Sequence, residues 1–174
     1  MLHSFTGDRM QRRTFLSAAL VAAVLGSSAS PALALASPLG VGGTLPQTQF
    51  ENQHGKMEDF PGADTRVVLF AVEKAPSDVV NDYLTALGVE AMHKQGIVFL
   101  ADISGMPGFV TQTFALPKMR KRPYSILLAS KAEQAAFMQH EKEAVTVMQV
   151  RQGKITHIGF ARDVAALKAA IGSQ

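Results

Sequence analysis

The sequence contains no cysteine and no tryptophan. The first absence excludes thiol–disulfide exchange and thiol-peroxidase chemistry, since both need a thiolate as nucleophile. It excludes a disulfide framework as well, so the fold must rest on its hydrophobic core. Long apolar runs are also missing. The most apolar stretch, Thr14 to Leu25, falls short of the ~20 residues that span a bilayer. No G-x-S-x-G elbow and no H-E-x-x-H helix pattern occurs, which removes the local signatures of a serine hydrolase and a zinc peptidase. Charge is nearly balanced, with 17 Lys and Arg against 14 Asp and Glu in 174 residues, a length for one domain.

Residues 1–36 read as a cleaved export signal. Arg9, Arg12 and Arg13 form a positive start, Thr14 to Leu25 is the apolar centre, and Gly26, Ser27, Ser28 and Pro31 break it. Small residues at Ala34 and Ala36 flank Leu35 in the pattern signal peptidase reads, which sets the cut after Ala36, with Ala34 as the second choice. A permanent N-terminal anchor is the rival reading, and the short apolar run argues against it. The phrase Arg12-Arg13-Thr14-Phe15-Leu16 resembles a twin-arginine export signal, with Gln11 standing where Ser or Thr is usual; the general secretory route is the alternative. Either route makes the mature protein periplasmic. Without residues 1–36 the chain carries 14 basic and 13 acidic side chains, a net +1. No global nucleic-acid footprint remains at that balance.

Residues 37–45 are rich in Gly, Pro and Ser and read as a flexible start to a domain over 46–174. Gln47 to Asn52 reads as a short strand before a turn at His54-Gly55-Lys56. Val67 to Val72 and Ile97 to Ile103 are continuous apolar runs of the kind buried on both faces of a sheet. Pro76-Ser77-Asp78 predicts the start of a helix carrying Val79, Val80, Tyr83, Leu84 and Leu87, with Gly88 after it. Pro107-Gly108 turns into a shorter helix with Phe109, Val110 and Phe114, stopped by Pro117. Tyr124 to Ala129 reads as a strand, and Ser130-Lys131-Ala132-Glu133 as a capping box for a helical piece reaching Phe137. Ala144 to Val150 and Ile155 to Phe160 pair as a hairpin through Arg151-Gln152-Gly153-Lys154. Asp163 caps a last helix with Val164, Leu167 and Ile171 inward. Strands alternating with helices, closed by a hairpin, imply an α/β domain with a mixed sheet.

This order and several phrases resemble the thioredoxin-like superfamily in its peroxiredoxin, or redoxin-like, branch. Phe50-Glu51-Asn52-Gln53-His54-Gly55-Lys56 is similar to the strand and turn that open many redoxins. Val67 to Ala75 resembles the strand leading to the reactive cysteine. Tyr124 to Phe137 with Ala144 to Ile158 resembles the phrases that end such domains. The resemblance spans about residues 46–171 and implies a thioredoxin-like three-layer sandwich with a mixed central sheet and a C-terminal β-hairpin plus helix. It also implies that the chemistry is lost. Val68, Val72 and Ala75 stand where the peroxiredoxin motif has Pro, Thr and Cys. In the C-x-x-C reading the turn is Ala75-Pro76-Ser77-Asp78, without either cysteine. The activating arginine would fall near Glu143, and no proline precedes the Ala144 strand at the family's cis-proline position.

Outside that lost site, Ser77 and Asp78 read as helix caps rather than as a nucleophile and its partner. His54, His93, His140 and His157, with Met92 and Met138, invite comparison with a copper site of imidazole and thioether ligands. Their spacing matches no compact ligand pattern, and methionine is ordinary core filler. Lys118, Arg120, Lys121 and Arg122, between Pro117 and Pro123, are the one dense charge run. It reads either as a grip on an anionic partner or as a solvated connection. Pro107-Gly108 and Phe109-Val110 are placed at the rim of a groove above the lost cysteine position. Together these readings describe an exported, cysteine-free binding or accessory module with no catalytic residue, cofactor or metal. Its partner would be a protein or a small anionic ligand, with no nucleic acid and no stable membrane anchor. The alternative is a copper-type carrier or an enzyme using non-cysteine groups in the same cleft.

Changing Arg12 and Arg13 together to Lys should leave uncut precursor in the cytoplasm, visible as the larger band in fractionated cells. Normal processing would show that the general secretory route suffices. N-terminal sequencing of the processed protein should begin at Ser37, or at Leu35 for the second cut.

Overall fold

The computed structural model of the protein describes residues 37–172; the export segment assigned to 1–36 lies outside the described residues. Seven strands form one mixed sheet: β1 (Thr48–Asn52), β2 (Met57–Phe60), β3 (Val67–Ala71), β4 (Ile97–Asp102), β5 (Leu127–Ala129), β6 (Val145–Arg151) and β7 (Lys154–Ala161), in the spatial order β2-β1-β5-β4-β3-β6-β7. The central pairs β3–β4 and β4–β5 are parallel, and every other pair is antiparallel. All five residues of β3 are buried. Val67, Leu69 and Ala71 enter one core layer while Val68 and Phe70 enter the other, as the two-residue period of a strand requires. This central strand therefore reads as an unbroken apolar run.

Helices α1 (Lys74–Leu87), α2 (Val89–Lys94), α3 (Gly108–Val110), α4 (Leu116–Met119) and α5 (Val164–Gly172) complete the regular structure, with a π turn at Thr111–Ala115 and a 3-10 turn at Ala132–Ala135. Val80, Tyr83 and Leu84 of α1, Met92 of α2, Leu116 of α4 and Leu167 and Ile171 of α5 all pack into the layer that holds Leu69 and Phe99. The opposite layer, around Phe50, Phe60 and Phe70, is closed by Leu45, Ala135 and Met138. There Phe50 meets Phe60 edge-on at 5.3 Å, and Phe60 meets Phe137 at 6.0 Å. The three-layer arrangement holds, with its long helices on one side and short irregular segments on the other.

Several expectations are corrected in detail. Strand β2 was not anticipated, because Met-Glu-Asp-Phe at a sheet edge buries only Phe60 fully. The turn before it is as expected: Asn52 Oδ1 accepts the N–H groups of His54 and Lys56 at 2.8 and 3.1 Å, and Gly55 takes φ 81°. Helix α1 begins at Lys74 rather than at Pro76. The N–H groups of a first turn have no helical partner in any case, so a proline is tolerated there. The helix after Pro107 runs through Pro117 to Met119 instead of stopping. Proline offers no N–H, and the π turn shifts the register just ahead of it, with Leu116 N–H reaching back to Thr111 O. The capping partner of the 3-10 turn is Gln134 rather than Glu133: its Oε1 accepts from the Ser130 and Lys131 N–H groups at 2.9 and 3.0 Å. Asp163 does cap α5, with Oδ1 accepting Ala166 N–H at 2.7 Å.

The segment 37–45, expected to be flexible, is held along the hairpin of β6 and β7. Leu39 N–H bonds Phe137 O, Gly42 N–H bonds Ile155 O, Leu45 N–H bonds Gly153 O, and Leu45 is 1% exposed. The hairpin turn itself follows its chemistry, with Gln152 at φ 52° and Gly153 at φ 75°, the two left-handed residues of a tight hairpin.

The expected strand over Tyr124 to Ala129 is paired only at Leu127–Ala129. Gln53 explains the difference. Its side-chain Nε2 donates to Tyr124 O and its Oε1 accepts Ile126 N–H, both at 2.8 Å, so an amide side chain replaces a stretch of the ladder. Replacing Gln53 with Leu should therefore lower stability by about 2–4 kcal/mol, since two buried backbone groups would each lose a partner. Urea unfolding measures this, and a loss below about 1 kcal/mol would remove Gln53 from its structural role.

Candidate functional site

The lost thiol position lies where β3 ends and α1 begins. Val68 is in mid-strand and fully buried, Val72 packs against the core layer of Phe70, and Ala75 is exposed at the second position of α1. Ser77 and Asp78 are not caps, which corrects that expectation: α1 starts earlier. Ser77 Oγ donates to Glu73 O at 2.9 Å within the first turn, and Asp78 pairs with Lys74 along the helix. Glu73 itself stands at the N-cap position without capping the helix. Its carboxylate instead accepts the N–H of Glu143 at 2.6 Å.

Glu143 precedes β6 with φ 57°, a left-handed conformation for a non-glycine residue. The Glu73 bond secures it there and ties the lead-in of β6 to the start of α1. Glu141, two residues earlier, pairs with Arg162 at 3.1 Å. Where a reactive thiolate would need cationic neighbours and free N–H groups, the cations here, Lys74 and Arg162, are paired with Asp78 and Glu141. A carboxylate near a helix N-terminus is also favourable to the helix, so the local field is already satisfied by the protein's own anion.

The basic run forms the end of α4 and the turn beyond it, and its four cations are not alike. Arg120 Nε donates to Gln53 O at 2.9 Å, and Arg122 donates to Thr85 Oγ1 at 3.0 Å. Arg122 also lies beside Tyr124, whose hydroxyl bonds Asn81 Oδ1 at 2.9 Å. Burial raises the Tyr124 hydroxyl above the ordinary tyrosine pKa; the Thr85 hydrogen bond and the Arg122 charge oppose that rise, and Asp82 adds to it. Lys118 and Lys121 are exposed. Arg120, itself exposed, and Arg122 are thus tied to the domain by hydrogen bonds, and Lys118 and Lys121 face solvent.

A cavity of about 140 Å³ sits behind this helix, lined by Glu51, Gln53, Thr111, Gln112, Arg120 and Ser130 among others. Phe109 does not line it. That side chain is 70% exposed, and Phe114 is 60% exposed. The sequence does carry a signal here: residues 103–132 contain no Asp or Glu. The histidines and methionines considered as copper ligands are dispersed. His54 lies in the β1–β2 turn, His93 in α2, His140 before β6 and His157 on β7, while Met92 and Met138 are buried in opposite core layers. Among the described residues no group of three or more His, Cys, Asp or Glu could hold a metal ion, and no helix there is long and apolar enough to cross a membrane.

No family model matches the chain, and neither does any curated protein. Solved structures do. A proposed protein disulfide isomerase from Bacteroides thetaiotaomicron superposes with a TM-score of 0.52 at 14% identity, covering 79% of this chain and 89% of that one. A proposed electron transfer protein from Aquifex aeolicus gives 0.53 at 8% identity, over 76% and 96% of the two chains. Peroxidoxin BcpB from Mycobacterium tuberculosis gives 0.52 at 12% identity, over 76% and 94%. At such identities the likeness speaks for the fold alone. With its mixed seven-stranded sheet, this chain is an α/β domain of thioredoxin-like fold that contains no cysteine.

Proposed function

We propose that this protein is an exported binding or accessory module that keeps a redoxin scaffold and has given up its chemistry. The observation that carries this reading is the Glu73–Glu143 clasp at the position of the lost thiol. A carboxylate stands where a cysteine would need cations, and it performs a structural task, joining β6 to α1. The leader over 1–36 supports a periplasmic location for the processed form. The exposed Lys118 and Lys121 support an anionic partner. Arg120 and Arg122 belong to the same electropositive surface but are also held by Gln53 and Thr85, so neutralising all four would disturb packing as well as charge.

Thiol assays test the loss of chemistry. The processed protein should neither reduce insulin disulfides nor consume peroxide above background, because no thiolate is present to attack. Ala75→Cys should restore little of either activity, since Val72 and Glu143 stand where the family's orienting threonine and activating arginine would be. Robust peroxide turnover by the unaltered protein would sink the reading. The binding role is tested by capture from periplasmic extract: Lys118→Gln with Lys121→Gln should weaken capture and leave the melting temperature unchanged. Capture indifferent to this pair and to added salt returns the run to a solvated connection.

A further inference from the structure

Five basic side chains, Lys118, Arg120, Lys121, Arg122 and Lys131, fall within residues 103–132, which contain no acidic residue. The rest of 37–174 carries nine basic and 13 acidic side chains. A domain of nearly zero net charge thus gathers its densest run of cations on the stretch that folds as α3, the π turn, α4 and the turn before β5. The same stretch exposes Phe109 and Phe114. In a straight α-helix, residues five apart point about 140° away from each other. The π turn at Thr111–Ala115 adds a residue to the intervening turn and swings Phe114 back toward the side of Phe109. Lys118, four residues beyond Phe114, shares the face of that ring. One side of this short helical unit thus combines two protruding phenyl rings with outward-facing cations.

We propose that this face docks reversibly on an anionic lipid surface. The inference rests on the binding-module reading above and names the partner. A peptide partner would be expected to offer or receive an apolar anchor in a groove. Here the apolar groups project outward, and the nearby cavity, whose wall mixes Ile103, Leu116 and Leu128 with polar residues, includes neither phenylalanine. A lipid interface suits the observed shape, since rings enter the boundary of the acyl chains while lysines reach the headgroups. Anionic headgroups match Lys118, Arg120, Lys121 and Arg122, which lie in a stretch that carries no carboxylate of its own. Two rings and a few cations give reversible attachment, with no span of the bilayer.

Co-sedimentation of the processed protein with vesicles decides the matter. Equimolar phosphatidylglycerol and phosphatidylcholine vesicles should retain at least about tenfold more protein than pure phosphatidylcholine, and about 0.5 M salt should abolish the difference. Phe109→Ser with Phe114→Ser, and separately Lys118→Gln with Lys121→Gln, should each cut retention about tenfold. Both pairs are exposed, so circular-dichroism melting curves should match the parent and certify folding. Equal retention by neutral vesicles, or variants that bind like the parent, overturns the lipid assignment. Soluble poly-glutamate separates the two levels of the argument. Salt-sensitive binding to it without vesicle binding defeats the lipid proposal and leaves the binding module standing, with an acidic protein as partner. Absence of binding to both defeats both.

Discussion

At the end of β1, Gln53 is 1% exposed, and each of its polar groups is engaged. The side-chain amide bonds Tyr124 O and Ile126 N–H, the backbone N–H bonds Ile126 O, and the backbone carbonyl receives Arg120 Nε. A buried amide left unpaired is costly, and a fully paired one fixes geometry. Through this one residue the β1–β2 hairpin is joined to the lead-in of β5 and to the basic segment after α4. The hairpin can add to the edge of β5 through only two residue pairs because Gln53 supplies the rest of the connection. The orientation of α4, and with it the outward direction of Lys118, depends on the same anchor.

The junction of β3 and α1 is held by carboxylates. In a thiol enzyme of this fold the junction of β3 and α1 must hold an anion that reacts. Here Glu73 is an anion that does not react, and it is occupied with the backbone of Glu143. The consequence for function is electrostatic as much as chemical. At the β3–α1 junction Lys74 pairs with Asp78 and Arg162 with Glu141, while the stretch 103–132 has only basic residues among its charged ones.

Much of the architecture was legible in the chain. The apolar runs at Val67 and Ile97, the Gln152-Gly153 turn and the Asp163 cap act through neighbours a few residues away, and each element formed as its local pattern requires. The candidate site was less legible. Phe109, Val110 and Phe114 have the apolar composition of a core-facing helix, yet two of the three are exposed. For Phe114 the register shift of the π turn ahead of Pro117 matters, which no count of apolar spacing anticipates. Likewise Pro76 resembles a helix start and stands within the first turn, where its missing N–H is harmless.

The absence of cysteine determined by itself that no thiol chemistry occurs, because a nucleophile that is not encoded cannot be assembled by folding. The alternation of apolar strands with helices, and thus the α/β class, followed from local periodicity, although the edge strand β2 did not. Only the tertiary structure decided which cations face outward, that Gly- and Pro-rich residues 37–45 are bound along the hairpin, and that Glu73 reaches Glu143 across 70 residues of chain. Such contacts join positions far apart in sequence, and their partners are set by packing geometry that no local pattern encodes.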